Sequence, residues 1–145
     1  MKWPKVQILL AAPLSSDTAS TLSYNINKIM YDKNNIFAKI LRKEIPAKIR
    51  YEDDVVLCFD DINPIAPVHI LVISKKPYVN FADFISHADE NYIASYFKAI
   101  KLITKNLDSE NKSYRLVVNN GEYSGQTVMH FHTHIIAGKQ LKELV

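Results

Sequence analysis

The sequence predicts an α+β domain with a five-stranded antiparallel sheet and two main helices. Two segments carry apolar residues at helical spacing, and five short apolar or alternating segments are bounded by turn residues. In chain order they read helix, three strands, helix, two strands, an order that indicates an α+β domain on an antiparallel sheet. With 145 residues, the chain is long enough for one domain with its own core.

A short helix opens the predicted domain, because apolar residues recur there at helical spacing until Pro46 ends the run. These apolar residues are Ile36, Phe37, Ile40 and Leu41. Three strands follow, over residues 48–51, 55–59 and 68–74. An acidic hairpin turn joins the first two strands, and a proline-containing loop over residues 60–67 precedes the third.

One long helix and two strands make up the rest of the predicted domain. The helix covers residues 91–107, where the apolar side chains follow an amphipathic pattern. Those side chains are Ile93, Tyr96, Phe97, Ile100 and Ile103. A strand over residues 114–119, a loop over residues 120–126 and a last strand over residues 127–137 complete the order.

Charge and cysteine content exclude several classes of protein. The formal net charge is +3 and the basic residues are dispersed, so we expect no nucleic-acid partner. Cys58 is the single cysteine, which excludes an internal disulfide and a zinc site built on a cysteine pair, and which fits a reducing, cytoplasmic location. The apolar runs are too short to span a bilayer, so we expect no membrane partner.

Residues 1–33 differ in composition from the domain, which we assign to residues 34–145. A signal peptide would need a longer apolar region than this segment has, and a mitochondrial transit peptide would be rich in arginine, yet the first arginine is Arg42. We interpret residues 1–33 as a poorly ordered extension or an over-long start. Met30 would serve as an alternative start.

Three of the five histidines fall within five residues, at His130, His132 and His134. Successive side chains of a strand point to opposite faces, so residues two apart share a face. The predicted strand over residues 127–137 therefore places the three imidazoles together. His69, on the strand predicted over residues 68–74, joins them if the two strands are neighbours.

A metal site is one interpretation of the triplet, because imidazole is a common zinc ligand. On an extended strand the Cα atoms of residues i and i+4 lie roughly 13 Å apart, so three ligands from one strand converge poorly on a tetrahedral ion. A metal site made of two of these histidines and a third ligand from a neighbouring strand stays open as an alternative. No Asp or Glu adjoins the triplet in sequence to orient the rings. We expect neither a metal nor another cofactor. A purely structural role for the triplet is disfavoured, because three histidines on one strand face would use core space poorly.

Nucleophilic attack on a phosphoryl centre is the second interpretation. Neutral imidazole is a good nucleophile near pH 7, and attack on an α-phosphate would give a covalent nucleotidyl-histidine. Flanking imidazoles could bind phosphate oxygens and protonate the leaving group, which favours the central His132 as the nucleophile. Two of the three glycines, Gly121 and Gly125, lie just before the triplet, where they let the backbone approach a phosphate.

Residues 130–136, His-Phe-His-Thr-His-Ile-Ile, resemble the His-x-His-x-His-x-x signature of the histidine triad (HIT) superfamily. Residues 36–48, 59–69 and 115–121 are similar to its Hint branch, the nucleoside phosphoramidases. The similarity covers roughly residues 36–140, and several collinear motifs agree. The resemblance implies a HIT-like fold and a homodimer, to which the long predicted helix could contribute.

The resemblance also implies a role for each site residue. His132 would be the nucleophile, His134 would contact the phosphate and the leaving group, and His69 and His130 would complete and orient the site. Asp61, next to Ile62, matches the acid that hydrogen-bonds the ribose hydroxyls. The implied loop that contacts phosphate and nucleotide comprises Asn119, Gly125, Gln126, Thr127 and Val128. The implied apolar slot for the purine, which plain core packing explains equally well, comprises Ile36, Phe37, Ile40, Ile45 and Phe59.

The activity that the resemblance implies is hydrolysis of a purine nucleoside 5′-phosphoramidate or a related, AMP-like adenylate. Hydrolysis of dinucleoside polyphosphates is a second hypothesis, and the segment over residues 36–48 argues against it. A nucleotide-binding or scaffolding protein with incidental turnover is a third. Thr133 departs from the signature, whose residue there is usually apolar, and its predicted place on the opposite strand face affects packing more than chemistry. The tail after Gly138 is short, and C-terminal residues influence substrate choice in this branch.

Overall fold

The computed structural model describes residues 30–107 and 112–144, so most of the predicted extension lies outside the described residues. The elements are, in chain order, α1 (Ile36–Leu41), β1 (Ile49–Glu52), β2 (Val56–Asp60), β3 (Val68–Ser74), α2 (Phe81–His87), α3 (Glu90–Lys105), β4 (Tyr114–Val117) and β5 (His132–Ala137). A 3-10 turn covers Glu122–Ser124. The strands form one antiparallel sheet in the order β1-β2-β3-β5-β4. The predicted α+β class and its five-stranded antiparallel sheet are confirmed.

The helices begin at side-chain caps and cover the two faces of the sheet. Asn35 accepts a hydrogen bond from the backbone of Ala38 at the start of α1, and Asp89 accepts one from Tyr92 at the start of α3. Helices α2 and α3 pack over one face, where Phe84 and other apolar residues form the larger core cluster. Helix α1 packs over the other face, in a second cluster with side chains of β2 and β3.

The predicted element order is wrong at one point, because it lacks helix α2. Both predicted helices are present, as α1 and α3, and α2 lies between them in the chain. It has seven residues, and Phe84 is its one buried residue. Such a short helix with a single buried residue gives little periodic signal. Asn80 caps it by accepting a hydrogen bond from the backbone of Asp83.

The last strand begins later than predicted, at His132 instead of residue 127. The backbone N–H of Phe131 donates to the carbonyl of Tyr78 at 2.7 Å, outside the ladder between β3 and β5. That ladder starts where His132 pairs with Ile73. His130 therefore precedes the strand, and the peptide that joins it to Phe131 is held by the hydrogen bond to Tyr78. Within residues 30–107 and 112–144, no helix is both long and apolar enough to cross a bilayer.

Candidate active site

Strand pairing brings His69, His132 and His134 to the sheet face that α1 covers. In the register of β3 and β5, His132 lies opposite Ile73 and His134 lies opposite Leu71, and both apolar partners belong to the α1 cluster. The ring centroids of His132 and His134 are 5.0 Å apart, and those of His69 and His134 are 5.2 Å apart. The prediction that His69 lies beside the triplet if the two strands are neighbours is therefore confirmed.

The hydrogen bond of His132 fixes which of its nitrogens carries a proton. Its Nδ1 lies 2.6 Å from the backbone carbonyl of His130, and a carbonyl only accepts. Nδ1 therefore carries the proton, and Nε2 keeps a lone pair. His132 is 6% exposed, and burial lowers its pKa, so the imidazole is neutral at pH 7. This is the protonation state of a nitrogen nucleophile.

His134 holds the opposite tautomer because of two bonds that pass through His69. The backbone N–H of Ile65 donates to Nδ1 of His69 at 3.2 Å, so a neutral His69 carries its proton on Nε2. That Nε2 donates to Nδ1 of His134 at 2.9 Å. The remaining proton of His134 therefore lies on its Nε2, where it is available to donate. Burial first, and then the neighbouring His132 and His69, lower the pKa of His134 to about 4.

Asp61 supplies the acidic group that the sequence around the triplet lacks. Its Oδ2 lies 3.4 Å from Nε2 of His69, while its Oδ1 accepts a hydrogen bond from the backbone of Asn63. Among the described residues, ligand atoms of Asp61, His69 and His134 lie within 4.8 Å of one another, as a metal site would require. The bond from Ile65 to His69 places a proton on the nitrogen that would face the ion. This tautomer favours hydrogen bonding over metal coordination at His69.

His130 is fully buried and both of its ring nitrogens are engaged. Nε2 lies 2.6 Å from the carbonyl of Ser74, and Nδ1 lies 2.5 Å from the hydroxyl of Tyr31. Burial lowers the pKa of His130 to about 4, so the ring is neutral. His130 thus contacts His132 through its backbone carbonyl, while its buried side chain bonds to Ser74 and Tyr31.

The loop before β5 is shaped by the buried amide of Gln126. Its Oε1 accepts from the backbone of Gly121 at 2.8 Å, and its Nε2 donates to the carbonyls of Val79 and Val128 at 2.8 and 3.0 Å. Gly125 has a φ of 94°, in the region that favours glycine. The side chain of Gln126 therefore holds the loop, and Gly125 and Thr127 are the exposed residues next to it.

Most of the predicted apolar slot lies together, beside the histidines. The ring of Phe37 meets the ring of His132 edge-on, with centroids 5.0 Å apart. The predicted slot residues that share this cluster are Phe37, Ile40, Ile45 and Phe59, and Val128 of the predicted loop packs against it. Ile36 of the predicted slot is exposed at 41%, and Ile62, predicted beside Asp61, is exposed at 84%. Asn119 is half-buried and follows β4 by two residues.

A separate cavity of about 540 Å³ reaches Asp61 and His69 from the side of α3. Its walls include the ion-paired Arg50 and Asp60 and the C-terminal end of α3. His132 and His134 are not among its lining residues. His132 and His134 therefore lie on a different side of the sheet from this cavity, with Asp61 and His69 between them.

The family model of the HIT domain matches residues 42–141, which include all four histidines of the site. A HIT-like protein of Rickettsia prowazekii, named as uncharacterised, is 51% identical over 116 residues, covering 80% of this chain and 97% of the relative.

The chain belongs to the HIT domain family.

Solved structures agree with the HIT assignment. A histidine triad protein from Clostridium difficile has a TM-score of 0.70 at 39% identity, covering 80% of this chain and 100% of that one. A HIT family hydrolase from Legionella pneumophila has a TM-score of 0.69 at 36% identity, covering 75% and 96%.

Two side chains of the HIT site were missed by sequence reasoning, Tyr31 and Asn35. Tyr31 was assigned to the extension, and its contact with His130 spans 99 positions of sequence, so no local pattern reveals it. Asn35 is the residue that precedes an apolar helical run, which is a recognisable capping signal for α1. That helix carries Phe37 to the histidines, so the cap contributes to the site.

Proposed function

We propose that this HIT protein hydrolyses purine nucleoside 5′-phosphoramidates, or related adenylates, at the α-phosphate through a covalent intermediate on His132. The observation that carries the proposal is the pair of opposite tautomers on adjacent imidazoles. His132 has an unprotonated Nε2, and His134 has a protonated Nε2. One nucleophile and one proton donor, side by side, are the two groups that phosphoramidate cleavage needs.

The first proposed step forms a bond from Nε2 of His132 to the α-phosphorus and breaks the bond from phosphorus to the leaving amine. Nε2–H of His134 gives its proton to that amine as it departs, so an uncharged amine leaves and His134 is left as an imidazolate beside the positively charged His132 ring. His132 then carries the nucleotidyl group. Its Nδ1–H continues to donate to the carbonyl of His130, which stabilises the positive charge that develops on the ring.

The second proposed step returns both histidines to their starting states. Water attacks the α-phosphorus, the bond from phosphorus to His132 breaks, and His134 takes a proton from the attacking water. The products are a nucleoside monophosphate and the free enzyme, so one water is consumed for each bond cleaved. The same nitrogen of His134 thus acts first as an acid and then as a base.

Three neighbouring features support the nucleotide part of the proposal. The exposed backbone at Gly125 and Thr127 is suited to contact phosphoryl oxygens. Phe37 and the apolar cluster around it offer a surface for a purine. Asp61 is assigned to the ribose hydroxyls from its place in the family motif, and its half-buried carboxylate beside His69 fits that assignment.

We also propose that the protein acts as a homodimer in the cytoplasm. Strand β4 is at one edge of the sheet, and Tyr114 and Leu116 on it are exposed at 45% and 42%. An exposed apolar edge strand is a ready surface for a second copy. Cys58 is buried, and burial raises the pKa of its thiol to about 12, so it stays a protonated core residue in a reducing compartment.

Turnover of adenosine 5′-phosphoramidate tests the proposed activity. The wild type should release adenosine monophosphate, and His132→Ala should lose at least about 1,000-fold in kcat. His87→Ala is the matched control, because His87 is an exposed histidine on α2 that bonds to Asp83. Wild-type turnover no faster than that of His132→Ala would reject the enzymatic proposal, and retained nucleotide affinity would then favour a binding protein. Loss of activity on dialysis against a chelator would favour a metal site instead.

A further inference from the structure

Tyr31 reaches the histidine cluster from the segment that precedes α1. Its hydroxyl lies 2.5 Å from Nδ1 of His130, and its ring meets the His130 ring edge-on, with centroids 5.5 Å apart. The matched HIT region begins at residue 42, so Tyr31 lies outside it. The contact therefore joins the start of the described chain to the residue two positions before the proposed nucleophile.

The direction of this hydrogen bond follows from the other side of the His130 ring. The carbonyl of Ser74 only accepts, so Nε2 of His130, at 2.6 Å, carries the proton. Nδ1 of the neutral ring is then an acceptor, and the Tyr31 phenol must be the donor. Burial raises the pKa of Tyr31, which keeps the phenol protonated for that role. His130 is fully buried, so loss of the phenol would leave a buried acceptor without a partner.

The backbone at His130 lies outside the sheet, where two kinds of contact hold it: the Phe131 N–H of the same peptide donates to the carbonyl of Tyr78, and the His130 ring is bound at both nitrogens. The ladder with β3 begins at His132, and His130 has no strand partner there. Yet the carbonyl of His130 is the acceptor that sets the tautomer and ring orientation of His132, at 2.6 Å. The anchored His130 ring therefore adds to the Tyr78 contact in keeping the carbonyl in place for His132.

We propose that Tyr31 is a positioning residue for the reaction: its hydroxyl holds His130, whose carbonyl holds the nucleophile His132. The proposal rests on the function proposed above, in which Nε2 of His132 attacks phosphorus. Tyr31 touches neither substrate nor His132 in this account. Its effect should fall on the rate of the chemical step more than on the affinity for nucleotide.

Tyr31→Phe removes the hydroxyl and keeps the ring, so it is the variant that tests the bond alone. We expect kcat for adenosine 5′-phosphoramidate to fall about 10-fold and KM to change less than about 2-fold. Tyr92→Phe is the matched control, because it also removes one phenolic donor: the Tyr92 hydroxyl donates to the backbone carbonyl of Val55 at 2.9 Å, in the core cluster on the opposite face. It should unfold more easily than the wild type and keep its kcat.

Nitrogen NMR of the imidazoles gives a readout that does not depend on turnover. In the wild type, the Nδ1 resonance of His130 should be that of a hydrogen-bonded acceptor, and it should move toward the value of a free acceptor in Tyr31→Phe. The resonances of His132 should lose the signature of a single tautomer in the same variant, while Tyr92→Phe leaves both histidines unchanged. This comparison tests the link between Tyr31 and His132 even if the wild type turns over no phosphoramidate.

The outcomes separate the two proposals. An inactive wild type with the expected NMR changes would reject the proposed function and retain the positional role of Tyr31. Unchanged His130 and His132 resonances in Tyr31→Phe would overturn the positioning proposal, whatever the activity. Equal losses of kcat in Tyr31→Phe and Tyr92→Phe would also overturn it, because the loss would then follow general destabilisation.

Discussion

Nε2 of His69 donates to Nδ1 of His134 across 2.9 Å, and this bond decides which nitrogen of His134 keeps a proton to give. The bond is itself fixed by the Ile65 backbone N–H on the far side of the His69 ring. His69 is 8% exposed, so water has little access to replace it in this role. The acid that the proposed first step requires is thus set up by two residues of the β2–β3 connection and β3.

Replacement of His69 by Ala should slow protonation of the leaving group. Without the donor at its Nδ1, His134 can adopt either tautomer, so we expect kcat to fall about 10- to 100-fold. The loss should be larger for phosphoramidates of basic alkyl amines, which need the proton most, than for substrates with good leaving groups. Steady-state rates over a series of leaving groups check this. An equal loss for every leaving group would contradict the assigned role of His69.

The pH dependence of kcat/KM should show no acid-side inflection at the ordinary histidine pKa of 6.5. Burial lowers the pKa of His132, so its neutral, nucleophilic form persists as the pH falls below 6.5. His134 has a pKa of about 4 and keeps its neutral donor tautomer over the same range. Activity should therefore decline only between pH 6.5 and about 4. An inflection at or above 6.5 would mean that burial does not govern these rings.

Gln126→Leu should release the loop that precedes β5. The variant keeps much of the side-chain volume and removes an acceptor for Gly121 and a donor for two carbonyls. We expect about 1–3 kcal/mol less stability in chemical denaturation, since buried backbone groups lose their partners. KM should rise more than kcat falls, because the loop is proposed to bind phosphate. A variant that is destabilised with an unchanged KM would separate the loop from substrate binding.

Elements that bury a continuous or periodic apolar pattern could be predicted from the sequence. Strand β3 (Val68–Ser74) has the predicted bounds, because it is an almost uninterrupted apolar run. The start of β5 could not be predicted, since the carbonyl of Tyr78 diverts the backbone of Phe131 and is distant in sequence. Helix α2 was missed because it buries little.

The histidines of the site could be located from their spacing, but their tautomers could not. Each tautomer depends on a backbone group supplied by another part of the chain: the Ile65 N–H for His69 and the Ser74 carbonyl for His130. The proximity of Asp61 to His69 likewise arises from the pairing of β2 with β3. The histidine spacing indicates the type of chemistry that we propose, while the fold is needed to distinguish the proposed proton donor from the proposed nucleophile.

The central claim, that Nε2 of His132 becomes covalently attached to the nucleotide, is tested most directly by mass spectrometry of enzyme quenched during turnover. We predict one adenylyl group per chain, on the peptide that contains His132, during hydrolysis of adenosine 5′-phosphoramidate. The adduct should be absent from His132→Ala and present in His87→Ala. An actively hydrolysing wild type with no adduct at His132, or an equal adduct in His132→Ala, would contradict the account.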